Sequence, residues 1–346
     1  LRTVVEEAIR PDTGDCERWL SARFLGLSRP LFVGSTQVMY RLIIPLLLVS
    51  SATALAEDAR IQQSHPGFRF LTEKAYLPPD FDQETFDQVW KVWPTALRER
   101  ARNASAEERR QIAFDRYGLT EIPGANSTRP LQYVVDQQGR WTMNCFACHG
   151  GQVDGSVWPG SPNSNFALET LTADIRAVKI LNRKKLARMD VGSVFMPLGS
   201  TNGTTNAVMF GVALMAFRDA DLNVQKRRVP PPMVHHDMDA PPWWHFRRKK
   251  MIYIDGFAEK AVRPLMQFML VEENGPEDFR AWESDFRHVF DDLESLEPPA
   301  YPGKVDEQLA AQGELIFNRS CAECHGTYGA DRQYPERRVA IDDIGT

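Results

Sequence analysis

The chain has 346 residues, of which 43% are hydrophobic and 25% charged, with only 5 cysteines. This composition excludes collagen-like, largely disordered and disulfide-dense small folds, and it leaves room for one to three domains. With 41 basic against 46 acidic residues the formal charge is -5, so there is no general attraction to a phosphate backbone and nucleic acid is a poor partner.

The first stretch with a recognisable plan begins at Met39. Arg41 precedes the apolar run Leu42 to Val49, and the small-residue ending Ala54-Leu55-Ala56 stands just before Glu57 and Asp58. This is the order of a secretory signal peptide, with cleavage expected after Ala56. The apolar core is about half the roughly 20 residues a bilayer span needs, and Pro45 interrupts it. A signal peptide over 39–56, an export address (periplasmic or otherwise exported) and no membrane span in the mature chain are therefore expected. Residues 1–38 read as a doubtful upstream extension, with synthesis beginning at Met39. Without residues 1–56 the chain keeps 35 basic and 41 acidic residues, a net charge near -6.

Further along, Phe81 to Arg102 reads as helical with a break at Pro94. Ser105 and Glu108 form a capping box for a helix that Gly118 closes. Leu131 to Val135 and Trp141 to Met143, joined by Asp136-Gln137-Gln138-Gly139, predict a hairpin leading into Cys145. Helices are expected over Phe166 to Arg188, Thr205 to Arg218, Glu259 to Leu270 and Phe279 to Leu296. The prolines between Val229 and Trp244 suit an irregular crossing. Asp306 caps a helix through Phe317 that delivers Cys321. The predicted class is mainly α, with long loops and little sheet. The expected divisions are 57–228, 229–300 and 301–346, the last of them ending as a truncated domain.

Four of the five cysteines fall into Cys145-Phe146-Ala147-Cys148-His149 and Cys321-Ala322-Glu323-Cys324-His325. Both are C-x-x-C-H, the attachment signature of c-type haem. One turn of chain sets two thiols for the two porphyrin vinyl groups, and the adjoining imidazole reaches the iron. Two covalent haems are predicted, anchored by Cys145, Cys148, Cys321 and Cys324, with His149 and His325 as proximal iron ligands. Three plainer readings compete. A zinc site would need pairs more than 170 residues apart in sequence and leaves both histidines unexplained; a two-residue disulfide loop is more often redox-active than structural; a thioredoxin-like site does not need two copies.

The order Gly313, Phe317, Cys321-x-x-Cys-His resembles the N-terminal helix of class I cytochrome c. More broadly, Asn144 to Gly151, Asp239 to Trp244, Tyr253 to Gly256 and Leu296 to Gly329 resemble the bacterial dihaem cytochrome c peroxidase superfamily, in its branch that includes rubber oxygenases. The resemblance implies cytochrome c-like haem domains in which one haem meets peroxide or dioxygen and the other passes electrons. It implies an oxidoreductase of peroxidase or oxygenase type, working with a redox partner protein or a small-molecule oxidant. The alternative is a non-catalytic dihaem electron carrier or the cytochrome subunit of a larger complex.

The distal side is open to several donors: His235, His236 and His245, of which His245 is the best placed in sequence, and Met196, Met209, Met215, Met233 and Met238. Trp243 and Trp244 read first as core aromatics and second as a bridge between haems. The basic runs Arg183-Lys184-Lys185, Lys226-Arg227-Arg228 and Arg247 to Lys250 suit haem propionates, a solvated face or a docking patch.

Overall fold

The computed structural model describes residues 65–123, 129–225, 237–253, 256, 258–301 and 303–322, all within one unit, Ser50–Thr346. The signal-peptide segment, residues 226–236 with Met233, His235 and His236, and the pair Cys324 and His325 lie outside the described residues.

The chain enters through α1 (Pro66–Glu73), opened by proline at its first position, where the missing N–H costs nothing. Phe81 to Arg102, expected as a helix broken at Pro94, is divided more finely. It forms the short strand β1 (Phe81–Asp82), the single turn α2 (Gln83–Phe86), a 3-10 turn over Val89–Val92 and α3 (Thr95–Asn103). The cause is tertiary. Phe81 and Phe86 both pack on Trp141, at centroid distances of 5.3 and 4.4 Å, yet residues five apart on one helix point about 140° away from each other. Pairing of Phe81 and Asp82 with Trp141 and Arg140 turns the chain so that both rings reach the indole.

Helix α4 (Ala106–Tyr117) follows its local signals. Ser105 accepts from the Glu108 N–H while the Glu108 carboxylate accepts from the Ser105 N–H at 2.8 Å, and Gly118 ends the helix at φ +65°. The expected hairpin is β2 (Tyr133–Val135) against β3 (Arg140–Met143), in the register Tyr133 to Met143 and Val135 to Trp141. Asp136 holds its turn by accepting from the Gln138 and Arg140 N–H groups, both at 2.9 Å. With β1 it makes a three-stranded antiparallel sheet in the order β1-β3-β2. The C-x-x-C-H turn α5 (Phe146–His149) and the two-residue strands β4 (Gln152–Val153) and β5 (Ser156–Val157) come next.

The helix expected over Phe166 to Arg188 is α6 (Leu168–Leu181), and it ends at Arg183, whose φ is +55°. A second short helix, α7 (Arg188–Phe195), follows. Strand β6 (Thr204–Thr205), helix α8 (Ala207–Ala216) and strand β7 (Met238–Asp239) lead to a 3-10 segment over Trp243–Arg248. The helix expected from Glu259 to Leu270 is a correction of type. Ala258–Glu259 (β9) pair with Met251–Ile252 (β8), and Arg263–Met269 is 3-10 with proline at its second position. Pro264 lacks the donor that an α-helical ladder would use. Helix α9 (Pro276–Ser295) and helix α10 (Glu307–Ser320) complete the order, the latter capped by Asp306 as expected. The described chain is mainly α, with little sheet.

Two apolar cores result. The first gathers Phe86, Trp93, Phe114, Tyr117, Trp141 and Leu171 around α4, α6 and the sheet. Within it Trp93 Nε1 donates to the Tyr117 hydroxyl at 2.7 Å, and that hydroxyl donates to Asp174 at 2.8 Å. The second joins α1 to α9 through Phe68, Leu71, Phe286 and Val289, and includes Met266 and Phe246. Phe146 belongs to the second core and Ala147 to the first, so α5 lies on the seam between them.

Candidate functional site

The α5 turn is set up by its neighbours rather than by helix propensity, because four residues are too few to hold a helix alone. Asn144 does most of this. Its N–H donates to the Gln132 carbonyl at 3.0 Å, its side-chain amide donates to the Leu131 carbonyl at 2.9 Å, and its side-chain oxygen accepts from the Phe146 N–H at 2.9 Å. The hairpin strand is thereby converted into one helical turn at a fixed point, closed by the His149 N–H donating to Cys145 O at 3.1 Å.

The downstream loop locks the other side. Gly160 donates to the His149 carbonyl at 2.6 Å and accepts from the Trp243 N–H at 2.9 Å. Its φ is +93°, and a Cβ there would stand 3.2 Å from the Trp243 Cβ. Asn163 donates from its backbone to Cys148 O at 2.9 Å and from its side chain to Gly118 O and Ala147 O at 3.0 and 3.2 Å. A Cβ on Gly151 would lie 1.9 Å from the Pro162 carbonyl oxygen, so only glycine lets the loop close.

Cys145 and Cys148 are both free thiols and half-buried, Cys145 packed on the second core and Cys148 on the first. Burial, helped by neighbouring Cys148, pushes the Cys145 thiol up to about 12, and burial pushes Cys148 up to about 11. Both therefore stay protonated near neutrality. That is the wrong state for thiol–disulfide exchange, which needs thiolate. Among the described residues no group of three or more His, Cys, Asp or Glu is arranged to hold a metal ion.

Burial also pushes His149 down to about 3; the Pro241 carbonyl acts the other way, and the charge of Lys249 adds to the lowering. The imidazole is neutral and keeps a lone pair for a metal. Its Nδ1 is buried without a hydrogen bond, the Pro241 carbonyl lying near the ring without completing one. Trp243 covers the ring with centroids 4.9 Å apart and planes 33° apart, and it also meets Phe146 at 5.2 Å. Beside these aromatics a narrow apolar cleft is walled by Phe68, Phe146, Trp243, Val289 and Leu296. At its edge His65 Nδ1 meets Asp292 Oδ1 at 3.2 Å.

Of the two tryptophans, then, Trp243 meets the motif while Trp244 is half-buried beside His245. His245 is exposed; burial, with Arg248 and Lys249 nearby, lowers its pKa. Met209 is buried, whereas Met196, Met215 and Met238 are half-buried. In the basic runs Arg247 is taken by Glu297 and Lys184 by Asp82 and Glu84. Lys249 is half-buried and is the member of its run that acts on His149.

The sequence pointed to neither Gly160 nor Asn163 as part of the site, and Asn144 entered only as the first residue of the resembling stretch, with no role of its own. Asn144 had a local signal, an asparagine immediately before a short helical turn; the other two act through contacts that only folding creates. The second motif is described only through Cys321 and Ala322. Its helix α10 has no buried residue, and Gly313 has nothing within 4 Å of a built Cβ.

Comparison with protein-family models, with curated proteins and with solved structures finds no match for this chain.

Proposed function

We propose that this chain is an exported c-type cytochrome carrying two covalent haems, one on Cys145, Cys148 and His149 and one on Cys321, Cys324 and His325. Its activity is electron transfer, in an oxidoreductase of the peroxidase or oxygenase type with cytochrome c-like haem domains. The observation that carries the reading is the first motif's geometry: two free thiols and a buried imidazole on one helical turn, set against an aromatic and aliphatic wall.

The donor set fits the group. Thioether bonds need thiols that have not closed on each other, and an axial ligand needs an unprotonated ring nitrogen. Bound haem supplies one-electron iron chemistry, whose potential and access the protein tunes. The chain's own contributions are distinct. Cys145 and Cys148 would hold the porphyrin, Gly160 fixes the His149 backbone while Trp243 packs against its ring, and Lys249 would offer a positive charge to a propionate.

The test is expression with the haem-attachment machinery, followed by a pyridine haemochrome spectrum and the mass of the denatured chain. Two covalent haems per chain are expected; a chain without covalent haem overturns the proposal. A high-spin ferric haem that reacts with peroxide or oxygen supports the catalytic form, whereas two low-spin haems inert to both leave an electron carrier.

A further inference from the structure

Two tyrosines flank the first motif, and their hydroxyls meet different surroundings. Tyr133, on the Cys148 side, is buried, and burial, then the charges of Asp80 and Cys148, push its hydroxyl well above the ordinary range. It hydrogen-bonds to no carboxylate among the described residues. Tyr76 packs with Cys145 in the second core, and its buried hydroxyl donates to Asp285 Oδ2 at 3.0 Å. The same oxygen accepts from Lys74 Nζ at 2.7 Å, the Lys74 and Asp285 side chains being 51% and 9% exposed. One buried carboxylate thus joins a core phenol to a cation at the surface.

Both partners are held in place. Asn274 donates to the Tyr76 carbonyl at 2.9 Å and to the Met269 carbonyl at 2.8 Å. On α9, Trp282, Asp285 and Phe286 stand three and four residues apart and so share one face. The Tyr76 ring meets Trp282 edge-on at a centroid distance of 5.3 Å and Phe286 at 5.0 Å. Trp282 is half-buried, so this ring contact leads from the core towards the surface.

We propose that Tyr76 is a reversible one-electron donor to the first motif, with Asp285 as its proton acceptor and Trp282 as its link to the surface. This role rests on the haem reading of Cys145, Cys148 and His149, and the oxidant is a haem at that motif oxidised by peroxide. Tyr76 gives up one electron while its O–H proton crosses the existing hydrogen bond to Asp285, leaving a neutral phenoxyl radical and a protonated carboxyl. An electron from a reducing partner protein, entering over Trp282, restores the phenol as Asp285 returns the proton.

The chemistry selects Tyr76 over Tyr133. A phenol that loses an electron becomes a strong acid, and its proton is taken most readily by a base already in hydrogen-bond reach. Burial, with Asp285 and the charge of Cys145 adding to it, holds the Tyr76 hydroxyl above its ordinary range. Ionisation ahead of oxidation is therefore closed, and electron and proton leave together.

The test is freeze-quench electron paramagnetic resonance of the haem-loaded ferric protein mixed with peroxide, grown with ring-deuterated tyrosine so that narrowed lines identify a tyrosyl radical. Wild type, Tyr76→Phe, Asp285→Asn and the control Tyr133→Phe are compared. Circular dichroism, melting temperature and the pyridine haemochrome spectrum check fold and loading. The wild-type signal should fall about tenfold in Tyr76→Phe and severalfold in Asp285→Asn, and stay unchanged in Tyr133→Phe. Asp285→Asn keeps an oxygen for the hydroxyl and removes the base, so its loss of signal reports proton transfer. A radical that persists in Tyr76→Phe, an Asp285→Asn signal equal to wild type, or a loaded protein that forms no radical with peroxide overturns this role and leaves the haem reading standing. A chain without covalent haem overturns both.

Discussion

The two C-x-x-C-H segments share a sequence pattern, and the described residues that lead into them differ in their surroundings. The first is a single turn on the seam between two cores, with Asn144, Gly160 and Asn163 tying its backbone on both sides. The second is delivered by α10, in which Leu309, Leu315 and Ile316 are all more than half exposed. The contrast teaches that the pentapeptide specifies what can be bound, while the rigidity of the site comes from residues outside it. Perturbations near the first motif should couple to global stability, and perturbations of α10 should not.

The largest effect should separate the motifs outright. If the proposed haems are present, Cys145→Ser/Cys148→Ser is expected to remove one from the denatured mass and leave the second in place, while Cys321→Ser/Cys324→Ser removes only the other. Loss of both haems from either variant would show that the sites load as one unit.

Next comes the support of the first core. Lys179 and Asp190 are an ion pair with side chains only 4% and 3% exposed. Removing one partner strands the other, so Lys179→Met should cost about 3–5 kcal/mol in urea unfolding. A cost below about 1 kcal/mol would mean that the pair does not anchor α7.

A smaller effect depends on pH. Burial pushes Asp80 up to about 6; the Met143 N–H and Lys179 pull the other way, and the charge of Asp190 adds to the rise. The folded state therefore holds this proton more tightly than the unfolded chain, and the contribution of Asp80 to stability falls as pH rises from about 4 to about 6. Asp80→Asn should be more stable than wild type by about 3 kcal/mol at pH 7, with most of the advantage gone at pH 4. An advantage equal at both values would refute the titration.

The smallest change belongs to α10. Leu315→Gln keeps helix propensity and alters a side chain 72% exposed, so the melting curve should move by no more than about 0.5 kcal/mol. A larger loss would place Leu315 in a contact that stabilises the fold, and the contrast between the two motifs would fail.

What the sequence disclosed was what short-range chemistry dictates. The Ser105 and Glu108 box, the Gly118 stop, the Asp136 to Gly139 turn and the Asp306 cap each depend on neighbours within four residues. What it hid was decided at long range. Phe81 to Val92 left the helical path because Trp141 collects two of its rings, and Ala258 and Glu259 became a strand because Met251 and Ile252 lie across from them. In the candidate site, the cysteines and His149 were legible from spacing, but the choice of Trp243 over Trp244 was not. It follows from the hydrogen bonds of Gly160 to His149 on one side and to Trp243 on the other.

The loop that runs from Gly150 to Asn163 sets a limit on engineering. Its two ends are closed by Gly151 against Pro162 and by Asn163 against Ala147 and Gly118, whereas at its tip Gly155 has nothing within 4 Å of a built Cβ. Extra residues should be accepted between Asp154 and Gly155, as at other exposed tips, and rejected three residues before Asn163. A transplant of the five-residue motif alone would carry its reactive atoms and lose their aim; the transferable unit runs from Leu131 through Asn163, together with a surface that replaces Gly118 and Trp243.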